Sequence, residues 1–114
     1  GFNPRNALKL CRDDYSLAVI NLEDIVGRSE KAVKRQKARI IGRSGRTRRY
    51  IEESTRAMVS IYGKSVAILG TYEEVQAAKK GVIMLATGVP HGVVYKVLQG
   101  KARELKERRL SLWK

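Results

Sequence analysis

Residues 28–49, RSEKAVKRQKARIIGRSGRTRR, decide how this chain is organised. The stretch holds ten lysines and arginines against one acid, Glu30, and so carries +9 of the chain's formal +13. At its centre a pair of isoleucines runs into a G-x-x-G turn over residues 42–45, where the two glycines let the backbone approach a ligand closely. A helix that starts after Gly45 would point its unpaired N–H groups and positive dipole end at that ligand. The pattern favours a phosphate-binding turn over a merely solvated basic helix.

The composition predicts one small folded domain with an anionic partner. The chain has 114 residues, of which 43% are apolar and 31% charged, and its pI is near 10.3. Nucleic acid and an acidic membrane surface both fit that charge. Cys11 is the one cysteine and cannot form an internal disulfide, which favours a reducing, cytoplasmic location. Because the chain begins Gly1-Phe2, we expect it to be cut from something longer.

Hydrophobic periodicity and turn residues predict the order helix, strand, helix, G-x-x-G, helix, strand, strand, helix, helix. In the strand over 15–22 both faces are mostly apolar, so periodicity alone also allows a buried helix there. The expected helices cover residues 1–12, 30–39, 46–54, 72–87 and 93–109, and the expected strands cover 15–22, 57–62 and 65–69.

Two helix starts and one helix face are predicted in detail. Ser29 should cap the helix over 30–39, and Thr71 with Glu74 has the spacing of a capping box. The last helix carries a long apolar stripe, which we expect to pack inside the chain against the opening helix over 1–12. The stripe consists of Val94, Val97, Leu98, Ala102 and Leu105.

No pattern in the chain predicts catalysis, a metal or a cofactor. The run Gly63-Lys64-Ser65 resembles the end of a P-loop, but Met58 stands where that motif needs its first glycine. The one histidine, His91, follows a proline in a loop, and no cluster has metal-ligand spacing. We therefore expect a chain that is not an enzyme.

The motifs taken together resemble the type I KH domain. The G-x-x-G turn is followed by the strand TRAMVSI over 55–61, by VAILG over 66–70 and by a helix that begins near Glu74. The resemblance covers roughly residues 15–87. It implies an α+β fold, a three-stranded antiparallel sheet with three helices on one face, here with flanking N- and C-terminal helices. It also implies a groove for about four single-stranded nucleotides between the G-x-x-G edge and the second strand.

Further residues resemble one branch of this family, the archaeal KH proteins of small-ribosomal-subunit assembly, which are counterparts of the eukaryotic partner of the Nob endonuclease. The run over 45–48, the run over 88–91 and the opening Gly1–Pro4 carry that likeness. The branch has two KH domains, so we expect an N-terminal one to be missing. The expected parts are a connector helix (1–14), a KH domain (15–88) and a C-terminal helical extension (89–114).

The branch implies binding to the 3′ region of small-subunit rRNA. It also implies protein partners, the alpha subunit of archaeal initiation factor two and the Nob-type endonuclease, in pre-rRNA processing. The RNA-binding residues expected from the resemblance are Lys37, Arg39, Ile41, Gly42, Arg43, Ser44, Gly45, Arg46, Arg48, Arg49, Val59, Ser60 and Ile61.

Arg48 departs from the common pattern, which has an aliphatic residue three positions after the last glycine of the turn. This arginine weakens the apolar floor of the groove, so two alternatives stay open. One is a protein-interaction or scaffolding module with a vestigial RNA groove. The other is adhesion to DNA or an acidic membrane through charge alone.

Overall fold

The computed structural model describes residues 15–112. Within this range a 3-10 turn, Arg43–Gly45, joins the second helix to the third. The elements follow in the order β1 (Tyr15–Asn21), α1 (Leu22–Val26), α2 (Glu30–Ile41), α3 (Arg46–Thr55), β2 (Met58–Tyr62), β3 (Ser65–Thr71), α4 (Tyr72–Ala86) and α5 (His91–Leu112).

The three strands form one antiparallel sheet in the order β1-β3-β2. Tyr15 pairs with Thr71 at one end of β1, and Met58 pairs with Leu69 at the start of β2. Gly63 and Lys64 form the tight turn between β2 and β3, as the sequence predicts. Because β3 lies in the middle, β2 has one free edge, and that edge faces α3.

The helices pack on one face of the sheet and bury its apolar side chains. Val66 and Ile68 of β3 are completely buried there, while Val19 on the opposite face of β1 is 62% exposed. The expected α+β fold is therefore confirmed for the described residues. The core is made of Ile20, Leu22, Val33, Ile40, Ile51, Ala57, Val59, Val66, Ile68, Val75, Ala78, Val82, Leu85, Ala86, Val94 and Leu98.

Both predicted helix starts are confirmed. The hydroxyl of Ser29 accepts from the N–H of Ala32 at 3.3 Å, at the start of α2. At the start of α4 the N–H of Glu74 donates to the Thr71 hydroxyl at 3.4 Å, and the Glu74 carboxylate accepts from the N–H of Thr71 at 3.0 Å. These bonds satisfy N–H groups that have no partner inside their helices.

Several predicted boundaries differ from the structure by one to three residues, and one short helix was not predicted. Leu22 does not continue the strand but begins α1, because the side chain of Asn21 caps this five-residue helix by accepting from the N–H of Glu23 at 2.9 Å. The last helix begins at His91 rather than at residue 93, because the Pro90 carbonyl already accepts helical hydrogen bonds. The five residues of α1 are too few to give a periodic hydrophobic signal in the sequence.

The apolar stripe of α5 packs within the chain, as expected. Val94 and Leu98 are completely buried and Leu105 is 8% exposed. In the described part of the chain this helix contacts α3 and α4. The expected partner, the helix over 1–12, lies outside the described residues.

Candidate nucleic-acid interface

The G-x-x-G turn is a projecting loop between two helices. Gly42 ends α2, where its N–H donates to the carbonyl of Ala38 at 2.8 Å, and Gly45 precedes α3. Gly42, Ser44 and Gly45 all have positive φ, at 75°, 57° and 74°. No described side chain caps α3, so its positive N-terminal end opens directly onto the turn. The predicted geometry is thus present, with Arg43 and Ser44 exposed at its tip.

Gly42 is required by close packing as well as by its backbone angle. A Cβ at this position would lie 2.7 Å from the backbone nitrogen of Thr47, which is closer than real contacts allow. Thr47 is 3% exposed, and its hydroxyl lies 3.2 Å from the hydroxyl of Tyr95 on α5. The turn is therefore supported from behind by the last helix.

Aromatic and polar contacts attach α5 to this support. The rings of Tyr50 and Tyr95 are 4.5 Å apart between centroids, and the Tyr50 hydroxyl donates to the Tyr95 carbonyl at 3.5 Å. The His91 ring nitrogen Nε2 lies 3.0 Å from the carbonyl oxygen of Arg39. Thr47 and Tyr95 give no signal of this contact in the sequence, because they are about fifty residues apart in the chain.

The arginines of α3 divide between two sides of the helix. Arg46 and Arg49 are exposed and, with Tyr50 and Tyr95, line a cleft of about 250 Å³ beside the turn. The guanidinium of Arg49 donates to the carbonyl of Ser44 at 3.0 Å, which braces the tip of the turn. Arg48 instead lies on the side of α3 that faces β2.

Arg48 and Glu52 join α3 to the free edge of β2. The Arg48 guanidinium donates to the Val59 carbonyl at 3.4 Å, and the N–H of Val59 donates to the Glu52 carboxylate at 2.9 Å. The Val59 side chain is 2% exposed and belongs to the core, so only its backbone faces the groove. Glu52 was missed in the sequence because nothing distinguishes it from the neighbouring Glu53 as the residue that contacts β2.

The other residues expected to bind RNA lie on α2 and β2 rather than in the turn. The Arg39 guanidinium donates to the carbonyl of Val89, so this side chain anchors the loop before α5. Ile61 is half-buried and packs against the core, and Ser60 is half-buried on β2. Lys37 and Ile41 are half-buried on the last turns of α2.

A second group of cations lies at the turn between β2 and β3. Lys34, Lys37 and Lys64 line a cleft of about 310 Å³ together with Glu23 and other residues. Glu23 forms a salt bridge with Lys64, and this hydrogen bond raises the pKa of the Lys64 amine above its usual value. Part of the positive charge at this end of the molecule is therefore paired.

The described residues include neither a cluster that could bind a metal nor a helix that could span a membrane. They contain no group of three or more histidine, cysteine, aspartate or glutamate residues that could hold a metal ion. None of the described helices is long and apolar enough to cross a membrane. A concave region of about 630 Å³ between α4 and α5 has Ala77 and Leu105 among its lining residues and includes no residue of the turn or of β2.

A family model described as the eukaryotic-type KH domain, KH-domain type I, matches residues 16–103. The chain belongs to this type I KH family. The model is that of the second KH domain of PNO1 proteins. Its match extends into α5, so the predicted boundary at residue 88 stays a prediction.

Relatives of this KH domain include archaeal and fungal proteins. A KH domain-containing protein of Methanocaldococcus jannaschii is 48% identical over 114 residues, which are 100% of this chain and 50% of that protein. A pre-rRNA-processing protein pno1 of Emericella nidulans is 33% identical over 110 residues, 95% of this chain and 43% of the relative. The chain therefore spans about half the length of the curated relatives it matches.

Two solved archaeal structures have the same fold. A protein of unknown function from Aeropyrum pernix has a TM-score of 0.92 and 45% identity, over 99% of this chain and 60% of that one. The second is the complex of a/eIF2alpha, aDim2p and rRNA from Pyrococcus horikoshii. There the TM-score is 0.82 and the identity 44%, over 91% of this chain and 56% of the matched one.

Proposed function

We propose that this KH domain binds single-stranded RNA in the groove between the G-x-x-G turn and β2, and that it does so without catalysing a reaction. The observation that carries the proposal is the exposed turn at residues 42–45, with its three positive φ angles and the uncapped end of α3 behind it. Backbone N–H groups in such a turn bind phosphate oxygens, and the helix dipole favours the negative charge.

The charge around the turn supports the same ligand. Arg43 is exposed at the tip of the turn and Arg46 directly after it, and Arg49 is held beside the turn by its bond to Ser44. These cations surround a backbone turn rather than a flat surface. The geometry therefore favours a strand whose phosphates fit the loop over adhesion through diffuse charge.

The RNA we propose is the 3′ region of small-subunit rRNA, bound during pre-rRNA processing. Two observations on relatives support this choice: the fungal relatives are pre-rRNA-processing proteins, and the Pyrococcus horikoshii neighbour is in a complex with rRNA. The same complex contains a/eIF2alpha, which supports the alpha subunit of archaeal initiation factor two as a protein partner. The Nob-type endonuclease and the cytoplasmic location stay predictions.

The test replaces both residues at the tip of the turn, Arg43→Asp with Ser44→Asp. Negative charge would then face the phosphates, so RNA affinity should fall at least about tenfold, which corresponds to about 1.4 kcal/mol. Thermal unfolding should change little because both side chains are exposed. Affinity is measured by fluorescence anisotropy with a labelled fragment of the rRNA 3′ region.

The matched control is Gln76→Glu with Lys80→Glu, on the exposed part of α4. It changes the net charge by the same three units at a site away from the turn. Adhesion through overall charge predicts that the control and the turn variant lose affinity equally. That result, or an unchanged affinity of the turn variant, would refute the proposed groove.

A further inference from the structure

The free edge of β2 presents backbone hydrogen-bonding groups toward the groove. In an antiparallel pair, residues alternate between those that bond the partner strand and those whose N–H and C=O point away from it. The two-residue turn at Gly63 and Lys64 places Tyr62 opposite Ser65. In this register the backbone N–H and C=O groups of Val59 and Ile61 point away from β3. Val59 therefore offers one donor and one acceptor side by side.

Such a donor–acceptor pair is complementary to the edge of a nucleobase. Single-stranded RNA bases are read by hydrogen bonds along these edges when they are splayed out of the stack. A base edge that carries an amino group beside a ring nitrogen could accept from an N–H and donate to a C=O. The outward N–H and C=O of Val59 match such a base edge.

In this chain the Val59 pair is already occupied by two side chains of α3. Glu52 supplies the acceptor for the N–H at 2.9 Å, and Arg48 supplies the donor for the carbonyl at 3.4 Å. The two residues are four positions apart, so they lie on the same face of the helix. Both are half-buried. We call Arg48 and Glu52, in these contacts, the edge cap.

The edge cap changes what the groove can recognise. A base can accept from the Val59 N–H only after the Glu52 hydrogen bond has been broken, and it competes with Arg48 for the Val59 carbonyl, which has two lone pairs. The Glu52 carboxylate would still face an RNA strand whose phosphates carry the same charge sign. Phosphates bind the backbone N–H groups of the turn at residues 42–45, so this contact leaves both cap hydrogen bonds in place.

We propose that Arg48 and Glu52 are specificity-determining residues. The edge cap withholds the Val59 backbone from nucleobases, so RNA is held with less discrimination among bases at this position. This inference rests on the proposed RNA groove. It also gives Arg48, the departure from the common sequence pattern, a defined role.

The test measures base discrimination rather than affinity alone. Dissociation constants are determined for three single-stranded octamers, of adenosine, cytidine and uridine, and the ratio of weakest to tightest is compared between variants. Glu52→Ala frees the Val59 N–H for a base. A new pair of base hydrogen bonds should raise the ratio roughly fivefold or more above that of the natural chain.

Glu52→Gln is the matched control. The glutamine carboxamide oxygen still accepts from the Val59 N–H, but the negative charge is removed as in Glu52→Ala. The ratio for this variant should stay at the natural value, although its affinity for every octamer should rise. Arg48→Ala opens the cap from the carbonyl side, so its ratio should rise while its overall affinity falls.

The outcomes separate this inference from the proposed function. Equal ratios in Glu52→Ala, Glu52→Gln and the natural chain would overturn the edge cap as a specificity device. Formation of dimers by Glu52→Ala, measured by light scattering, would also overturn it, since the freed edge would then pair with a strand. If instead the turn variant at residues 43 and 44 binds the octamers normally, the RNA groove itself is wrong.

Discussion

The packing of α5 on the KH core yields a prediction that can be tested without RNA. Leu98 is completely buried, and its Cδ2 atom lies 3.1 Å from the position of a Cβ on Gly81 of α4. Leu98→Ala removes three buried carbon groups, which costs about 2.4 kcal/mol at about 0.8 kcal/mol for each. Since Gly81 has no side chain to fill the space, a cavity cost is added, and we expect a total loss of about 3–4 kcal/mol.

Gly81 provides a second variant that sharpens the test. An alanine here stabilises a helix by about 1 kcal/mol relative to glycine, but in the natural chain its Cβ would press on Leu98. In the Leu98→Ala background that pressure is absent, so Gly81→Ala should stabilise the fold more than it does alone. The free energy of unfolding is measured by urea denaturation followed by circular dichroism.

Leu110→Ala is the control on the same helix, because Leu110 is 56% exposed. It should change the free energy of unfolding by less than about 0.5 kcal/mol. A loss of under 1 kcal/mol for Leu98→Ala would show that α5 is not part of the folded core. The same conclusion would follow if Gly81→Ala had equal effects in both backgrounds.

Three further predictions follow from individual contacts. Thr71→Ala removes the N-cap of α4 and should cost about 1 kcal/mol in urea denaturation, whereas a change within error would contradict the capping box. Thr47→Val and Tyr95→Phe each remove one side of the 3.2 Å hydroxyl contact behind the turn, so each should weaken RNA binding while the double variant binds no worse than the weaker single one. Fully additive losses would show that the two hydroxyls act separately. A groove that neutralises about four phosphates should give a slope of about −3 for log K against log salt, and a much steeper slope would favour diffuse adhesion.

The local signals of the sequence were enough for most of the fold. Ser29 and Thr71 mark helix starts through hydrogen bonds to residues three positions away, so their pattern is visible in the chain itself. The turn at residues 42–45 was predictable for the same reason. The type I KH resemblance added the single antiparallel sheet with helices on one face, which periodicity does not provide.

The contacts that the sequence did not reveal join different helices, strands and loops of the fold. The guanidinium of Arg39 donates to the carbonyl of Val89, fifty positions away, while its binding to RNA stays a prediction. Glu52 reaches the backbone of Val59 only because α3 folds back along β2. The support of Thr47 by Tyr95 requires α5 to return to the turn. No spacing in the sequence reports such contacts, since each depends on the packing of whole elements.

The most direct test of the RNA groove is an NMR titration of the isotopically labelled chain with a short fragment of the small-subunit rRNA 3′ region. We predict that backbone amide signals at residues 42–45, and those at the start of α3 and along β2, shift together as RNA is added. Amide signals of α4 at Gln76 and Lys80 should stay in place. Shifts centred on the region between α4 and α5, with the turn unaffected, would show that RNA does not bind in the groove between the turn and β2.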